Sequence, residues 1–360
     1  MAKYQDLKVC SPVPWFPVLA KGEKYKGNEN WKGLEVYRPR FFYTPMILKN
    51  QDARFYAKGI QSWLKDFSQV WRPDMLDAHF IWPDGVGVYL LARRLGIPYV
   101  VTLRGKIYEC IKVSSQKEQC ADALKHAAAI ISVSGLMAQE AVRMGAVKER
   151  VHVIPNGVDF EHFFIKDKKA CRQLLELPLD KRILVTVAHL GHRKGHYEVI
   201  KALAGLPEDI VLVLVGGAAQ GGTPEMIREA AQKSGVAERL ILKGPQDYSR
   251  IPLYFSAADA SVLASYREGC PNAVLESLAC GTPVVATDVG AVRDILPVPE
   301  AGRIVPARQV EPLVDALGKV LDQEWDPESV LRASQVKSWD QVALDVHQVF
   351  ELILKDNRNR

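Results

Sequence analysis

A chain of 360 residues, 48% hydrophobic and 25% charged, holds enough apolar material for two domains with a core in each, which excludes a disordered or fibrous protein. It contains no run of roughly 18 apolar residues, and its start, Met1-Ala-Lys-Tyr-Gln-Asp6, has no basic patch before an apolar core. Neither a membrane span nor a signal peptide is therefore expected, and the cytoplasm is the expected compartment. The net charge of +5 is uneven, with 23 Lys and Arg against 16 Asp and Glu in residues 1–165 and 24 against 26 in the remainder. The first half is the side expected to face an anionic partner, either a phosphorylated acceptor or the inner face of a membrane in peripheral association. No basic stripe interleaved with aromatics marks a nucleic-acid site.

In chain order, apolar strands are expected near residues 7–13, 34–38, 75–80, 99–103, 129–133 and 151–154, and then near 183–188, 210–215, 240–243, 260–264 and 283–287. Amphipathic helices alternate with them, the pattern of parallel α/β sheets covered on both faces. Two similar sheets in succession predict two doubly wound domains whose carboxyl strand ends open on a shared crevice, the place where such folds bind ligands. The polar segment 159–180, after Pro155-Asn156-Gly157, reads as the connection between them. Val342, Val346, Val349, Phe350 and Ile353 share one helical face, so the last helix must dock. The six cysteines never form a Cys-x-x-Cys pair, so buried thiols are expected rather than a zinc site or a disulfide framework.

Chemistry-bearing residues gather at three strand ends of the second half. His189-Leu-Gly-His-Arg-Lys-Gly-His196 follows one strand and brings Arg193 and Lys194 to the start of a helix, a setting suited to a diphosphate; His192 and His196 read as surface residues. Gly216 and Gly217 end the next strand, in a run that does not match the dinucleotide fingerprint. Arg267-Glu268-Gly-Cys-Pro-Asn-Ala-Val-Leu-Glu276 follows a third, with Pro271 suited to the first helical position, Glu268 in the turn and Glu276 on the helix. Glu276 lies among Ala273, Val274, Leu275, Leu278 and Ala279, where a carboxylate costs several kcal/mol, on the order of other polar burial penalties, unless a donor reaches it or it faces water.

Together with Val153-Ile-Pro-Asn-Gly-Val-Asp-Phe160, these segments resemble the retaining family 4, or group 1, glycosyltransferases of the GT-B fold, and the resemblance covers nearly the whole chain. It implies an α/β protein of two Rossmann-like domains facing a central cleft: an acceptor-side domain over 1–160, with helix 338–360 packing back on it, and a nucleotide-sugar donor domain over 161–337. By that resemblance Lys194 binds the donor diphosphate, Glu268 contacts the sugar hydroxyls and Glu276 holds the ribose hydroxyls. The amides of Gly269 and Cys270 would assist, with Arg193, His189, Gly216, Gly217, Pro271 and Asn272 completing the donor side. His189 stands where family members commonly carry arginine, which would shift diphosphate binding toward Lys194 and Arg193.

In the first half, Asp77-Ala-His79-Phe-Ile-Trp-Pro-Asp-Gly85 and Val101-Thr-Leu-Arg-Gly105 are expected to open on the crevice. They resemble a subgroup with Arg-Gly in place of His-Gly, so Arg104 takes the position of the histidine at the reaction centre and His79 is the nearest imidazole. The subgroup's acid after Arg-Gly is missing in Arg104-Gly-Lys-Ile107, with Glu109 as a substitute; Ser132-Val-Ser134 reads as a structural match. The chain begins at about the family's second strand, Ser11-Pro-Val-Pro-Trp-Phe-Pro17 being the segment that ends it, so the usual first strand, glycine-rich loop and helix are expected to be missing.

The resemblance implies transfer of a hexose-type sugar, with retention, from a nucleotide diphosphate donor to a glycan or lipid-linked acceptor, in cell-surface polysaccharide or glycolipid synthesis. Neither a metal nor another cofactor is expected. The alternative is a catalytically impaired nucleotide-sugar-binding protein with an incomplete first domain. A nucleotide-sugar epimerase is a third reading, weakened by the transferase form of the two-glutamate motif.

Overall fold

The computed structural model describes residues 1–16, 27–67, 71–219, 221–296 and 298–358, which leaves Pro17 of the first expected segment outside the described residues. The chain divides into two units, Met1–Ile154 with Ala343–Arg360, and Pro155–Val342.

The first unit opens on five short strands, β1 (Val9–Cys10), β2 (Val13–Trp15), β3 (Glu29–Trp31), β4 (Leu34–Tyr37) and β5 (Arg40–Phe42). The single strand expected over 7–13 is in fact β1 and the start of β2, which lie in different sheets. β1 pairs in parallel with β4, which is antiparallel to β3, while β2 pairs in parallel with β5. The interruption falls at Pro12 and Pro39, which occupy matching positions on the two chains. Ser11 and Val13 still donate to the Tyr37 and Pro39 carbonyls at 2.8 Å, but Pro39 has no N–H to return, so the ladder loses a rung there. A separate parallel sheet follows in the order β6 (Leu76–His79), β7 (Tyr99–Leu103), β8 (Ala129–Ser132) and β9 (Val151–Val153). The first unit is thus not one continuous sheet like the second. Its lower core joins Val100, Ala129 and Ile131 to Val349 and Phe350 of the last helix, Trp339–Arg358, with Val346 and Ile353 packed alongside.

The second unit is built on β10 (Arg182–Val187), β11 (Ile210–Val215), β12 (Leu240–Gly244), β13 (Ala260–Leu263), β14 (Val284–Thr287) and β15 (Gly302–Val305). All pair in parallel in the order β12-β11-β10-β13-β14-β15. Ile183 and Val185 point into one core and Leu184 into another on the opposite face, so helices cover both sides of the sheet. Strand order reverses between β10 and β13, and the crevice beyond their carboxyl ends is the expected ligand position in an open α/β sheet. β15 escaped the sequence reading because it is a four-residue strand carrying Arg303.

Segment 159–180, expected as the connection, belongs to the second unit: Phe163, Cys171, Leu175 and Leu177 enter its core, and the chain crosses at Ile154/Pro155 instead. No helix among the described residues is long and apolar enough to cross a membrane. Cys110, Cys120, Cys171 and Cys280 are buried free thiols, and Cys10 and Cys270 are partly exposed.

Candidate active site

The loops that follow β10 and β13 lean on each other. Gly195, with φ of +70°, lies on the end of β13, where an added Cβ would stand 1.9 Å from the Ala264 carbonyl oxygen; only glycine allows this approach. The Tyr266 amide then donates to the Arg193 carbonyl at 2.9 Å, locking the two loops side by side. That packing carries Lys194 to Glu268, whose Oε1 accepts from the ammonium at 2.6 Å with both side chains largely covered. On the far side, the Gly269 carbonyl accepts from the Ala291 amide at 2.9 Å, and a Cβ on Gly290 would meet that same carbonyl oxygen at 2.3 Å.

Glu276 sits one turn into the helix Asn272–Ala279. Pro271 occupies the N-cap position of that helix, one residue before the expected place, because its extended ψ of 102° is outside the helical range. Among the described residues the Glu276 carboxyl makes no hydrogen bond or ion pair, and burial among apolar neighbours pushes it up to about 7. Tyr248, stacked on His162 with ring centroids 5.0 Å apart, is close enough to feel the Glu276 charge. The result is a cation paired with one carboxylate, a second carboxylate held ready for hydroxyl donors, and helix-start amides nearby. That set suits a polyhydroxylated anion.

The other donor-side residues are placed unevenly. Gly216 and Gly217 join the ends of neighbouring strands, Gly216 donating to the Gly244 carbonyl at 2.9 Å and Gly217 accepting from the Leu190 amide at 2.8 Å. His189 and the Arg193 side chain are exposed. Cys270 is partly exposed, and Asn272 Oδ1 accepts from Asn156 Nδ2 at 2.8 Å. His196 is a correction: it is fully buried, not on the surface. Its ring reaches back to the Gly191 carbonyl at 3.3 Å, its Nε2 has no partner among the described residues, and burial pushes its pKa down to about 4, so it supports the Lys194 loop as a neutral ring. His192 is exposed as expected.

Sequence reading did not single out the support behind this loop. The Tyr266 hydroxyl donates to Glu198 at 2.6 Å, the Arg308 guanidinium covers the Tyr266 ring at 4.5 Å, and His192 meets that ring edge-on at 5.2 Å. Asn156 was visible only within its Pro-Asn-Gly motif.

In the first unit, β6 and β7 bring His79 and Arg104 together. Arg104 Nε donates to His79 Nδ1 at 2.9 Å, and His79 Nε2 lies 3.2 Å from Asp77 Oδ2. A guanidinium can only donate, so Nδ1 is the acceptor and the ring proton belongs on Nε2, facing Asp77. Thr102 Oγ1 donates to Asp77 Oδ1 at 3.0 Å and completes the chain of bonds. Glu109 lies on the short helix Ile107–Cys110 with an exposed side chain. Ser134 caps the helix Gly135–Arg143 by accepting from the Met137 amide, and Ser132 donates to the Ser134 carbonyl, both fully buried.

The glycosyl transferases group 1 family matches residues 167–336, and the glycosyltransferase family 4 domain matches residues 18–162. TuaC of Bacillus subtilis strain 168, named as a candidate teichuronic acid biosynthesis glycosyltransferase, is 31% identical over 90% of this chain and 82% of its own. The chain belongs to the group 1, family 4 glycosyltransferases. The fold of this transferase is also that of the sucrose-phosphate synthase of Thermosynechococcus elongatus, with a TM-score of 0.75 at 20% identity over 91% of this chain and 85% of that one. HepE of Anabaena, solved with UDP, gives a TM-score of 0.75 at 19% identity over 88% and 86%, and it has also been solved with UDP-glucose. The expected fold class, α/β with two Rossmann-like domains of the GT-B type, is the one these structures share.

Proposed function

We propose that this transferase moves a hexose-type sugar from a nucleotide diphosphate donor to a hydroxyl of a glycan or lipid-linked acceptor, with retention of anomeric configuration, in the synthesis of a cell-surface polysaccharide or glycolipid. The observation that carries the reading is the Lys194–Glu268 pair, set beside an unpartnered Glu276 where the strand order of the second unit reverses. The name of TuaC supports the acceptor class, and the ligands named for HepE support the donor class.

In this reading Glu276 accepts from the ribose hydroxyls and Glu268 from the sugar hydroxyls. The bond between the anomeric carbon and the diphosphate oxygen breaks through an oxocarbenium-like state, and the departing charge is met by Lys194, Arg193 and the amides of Gly269 and Cys270. The acceptor oxygen attacks from the face the diphosphate leaves, and its proton passes to a phosphate oxygen. Arg104 and His79 serve the sugar on the acceptor side, with the imidazole held in one tautomer between Asp77 and Arg104. No metal is assigned a part. The transferase works in the cytoplasm, associated peripherally with the inner face of the membrane through its basic first unit.

One observation favours a second reading: Lys106 and Ile107 follow Arg104-Gly105 where the resembled pattern places an acid. The catalytically impaired nucleotide-sugar-binding protein is the form that reading takes. Incubation with a panel of nucleotide sugars and acceptors, with product anomers read by NMR in the presence and absence of EDTA, separates the two. Retained configuration and insensitivity to EDTA are expected. Inverted products overturn the mechanism, and nucleotide binding with neither transfer nor slow donor hydrolysis selects the second reading.

A further inference from the structure

The turn between β5 and the helix Asp52–Phe67 exposes three consecutive large apolar side chains, Met46 at 91%, Ile47 at 63% and Leu48 at 53%. A sequence of this kind normally turns inward, yet the structure holds it outward. Thr44 Oγ1 donates to the Ile47 carbonyl, while Met46 and Leu48 adopt left-handed backbone conformations, φ 68° and 54°, that residues bearing a Cβ disfavour. Trp15 and Phe42, paired across β2 and β5, are exposed beside it, and the Tyr43 amide donates to the Trp15 carbonyl. Scattered apolar residues on a surface need no explanation, but a contiguous and fixed group marks an interaction site.

Charge identifies the partner. Between residues 40 and 58 there are four cations, Arg40, Lys49, Arg54 and Lys58, and one carboxylate, Asp52, which is buried and paired with Lys49 at 3.1 Å. Arg40, Arg54 and Lys58 are exposed. An apolar tip with an aromatic shoulder and a cationic skirt complements a bilayer with anionic headgroups: the tip enters the acyl boundary, Trp15 lies at headgroup level, and the cations meet phosphate.

Position adds a reason for it to be there. Ala53 and Tyr56, in the first turns of the helix that the tip precedes, lie against Gly87, and the Tyr56 hydroxyl donates to Asp84 at 2.9 Å. Those partners come shortly after β6, the strand that ends in His79, so the tip stands at the same end of the first unit as His79 and Arg104.

We infer that the turn 43–49 docks this chain on an anionic lipid bilayer, with Met46, Ile47 and Leu48 inserted and Trp15 and Phe42 at the interface. The inference deepens the peripheral membrane association proposed above and rests on that part of it. Its test is cosedimentation of the full chain with vesicles of mixed phosphatidylglycerol and phosphatidylcholine, and with phosphatidylcholine alone. Binding is expected to the mixed vesicles, weakening as salt rises. The triple variant Met46→Ser, Ile47→Ser, Leu48→Ser should lose at least about tenfold in partitioning with an unchanged thermal melt, and Arg54→Gln with Lys58→Gln should lose several-fold at low salt.

Wild-type chain that stays in the supernatant, or a triple variant that binds like wild type, overturns the inference. So does a wild-type dimer that the triple substitution converts to monomer, because a second copy would then cover the patch. Transfer to a water-soluble acceptor, measured on the same preparations, keeps the two proposals apart. Vesicle binding without transfer sinks the reaction and leaves the docking, whereas transfer without vesicle binding does the reverse.

Discussion

In the second unit, the residues expected to bind the donor ride on loops whose backbones rest on one another, through Gly195 on Ala264 and Gly290 on Gly269. In the first unit, His79 and Arg104 sit at the ends of adjacent strands and touch directly through their side chains. The first arrangement fixes position by close packing that leaves no room for a Cβ, while the second fixes orientation by hydrogen bonds in a half-exposed setting. The proposed donor side should therefore be sensitive to backbone changes far smaller than those the proposed acceptor side tolerates. Side-chain changes in the first unit should affect transfer without affecting nucleotide binding.

The largest expected effect comes from removing the cation that pairs across the loops after β10 and β13. Lys194→Ala takes away the cation proposed to meet the departing diphosphate and leaves Glu268 without its ion-pair partner, so nucleoside diphosphate release should fall by about a thousandfold. A loss of less than about tenfold would mean that the charge is met elsewhere.

Gly195→Ala tests the packing itself. The added methyl cannot coexist with the Ala264 carbonyl, so the loop must shift, and a catalytic loss of about a hundredfold is expected from a misplacement on the order of 1 Å. Activity and melting temperature both at wild-type values would show that the two loops are not rigidly coupled.

On the other side of the comparison, His79→Ala should reduce transfer by about ten- to a hundredfold, the range for one positioned polar group, while calorimetric affinity for the nucleotide stays within about twofold. A parallel fall in both would place His79 on the donor.

The smallest effect is on stability and has the opposite sign. The folded chain raises the Glu276 carboxyl from 4.5 to about 7, so the native state holds that proton more tightly than the unfolded chain does. Its contribution to stability is then fully present below about pH 4.5 and is lost as pH rises through about 7. Glu276→Gln should make the protein more stable at pH 8 by about 2–3 kcal/mol in urea unfolding, with little change at pH 4.5. A destabilisation at pH 8 larger than at pH 4.5 would show instead that the carboxylate is paired in the native state.

Much of this was legible because the chemistry lies on buried parallel strands. β7, β8, β10, β11, β13 and β14 are short apolar runs bounded by polar loops, and such runs announce themselves. The loops that follow β10 and β13 hold the motif residues at nearly the expected places. Elsewhere, pairing rather than composition decides. The stretch 7–13 reads as one strand until its alignment with Pro39, which has no N–H to give, removes a rung between β1 and β2. His196, in a run rich in histidine and cations, has the composition of a solvated loop, and only the fold shows that it lies under that loop. The Glu198–Tyr266–Arg308 support joins residues far apart in sequence, with no spacing signal to find it. The unpartnered state of Glu276 was half legible, since its apolar neighbours are written in the sequence but the absence of a partner among the described residues is not.

The proposed role of Glu276, to receive the ribose of a nucleotide sugar, is tested most directly by calorimetric titration across pH. The nucleotide sugar with the strongest heat would be titrated into wild type and Glu276→Gln between pH 5.5 and 8.5. The ionised carboxylate accepts from the two ribose hydroxyls more strongly than the neutral acid, so wild-type affinity should rise as pH passes through about 7 and then level off, while Glu276→Gln should bind at least about tenfold more weakly at pH 8, with a flat profile. Equal affinities at every pH for the two proteins would contradict the claim and remove Glu276 from the donor site.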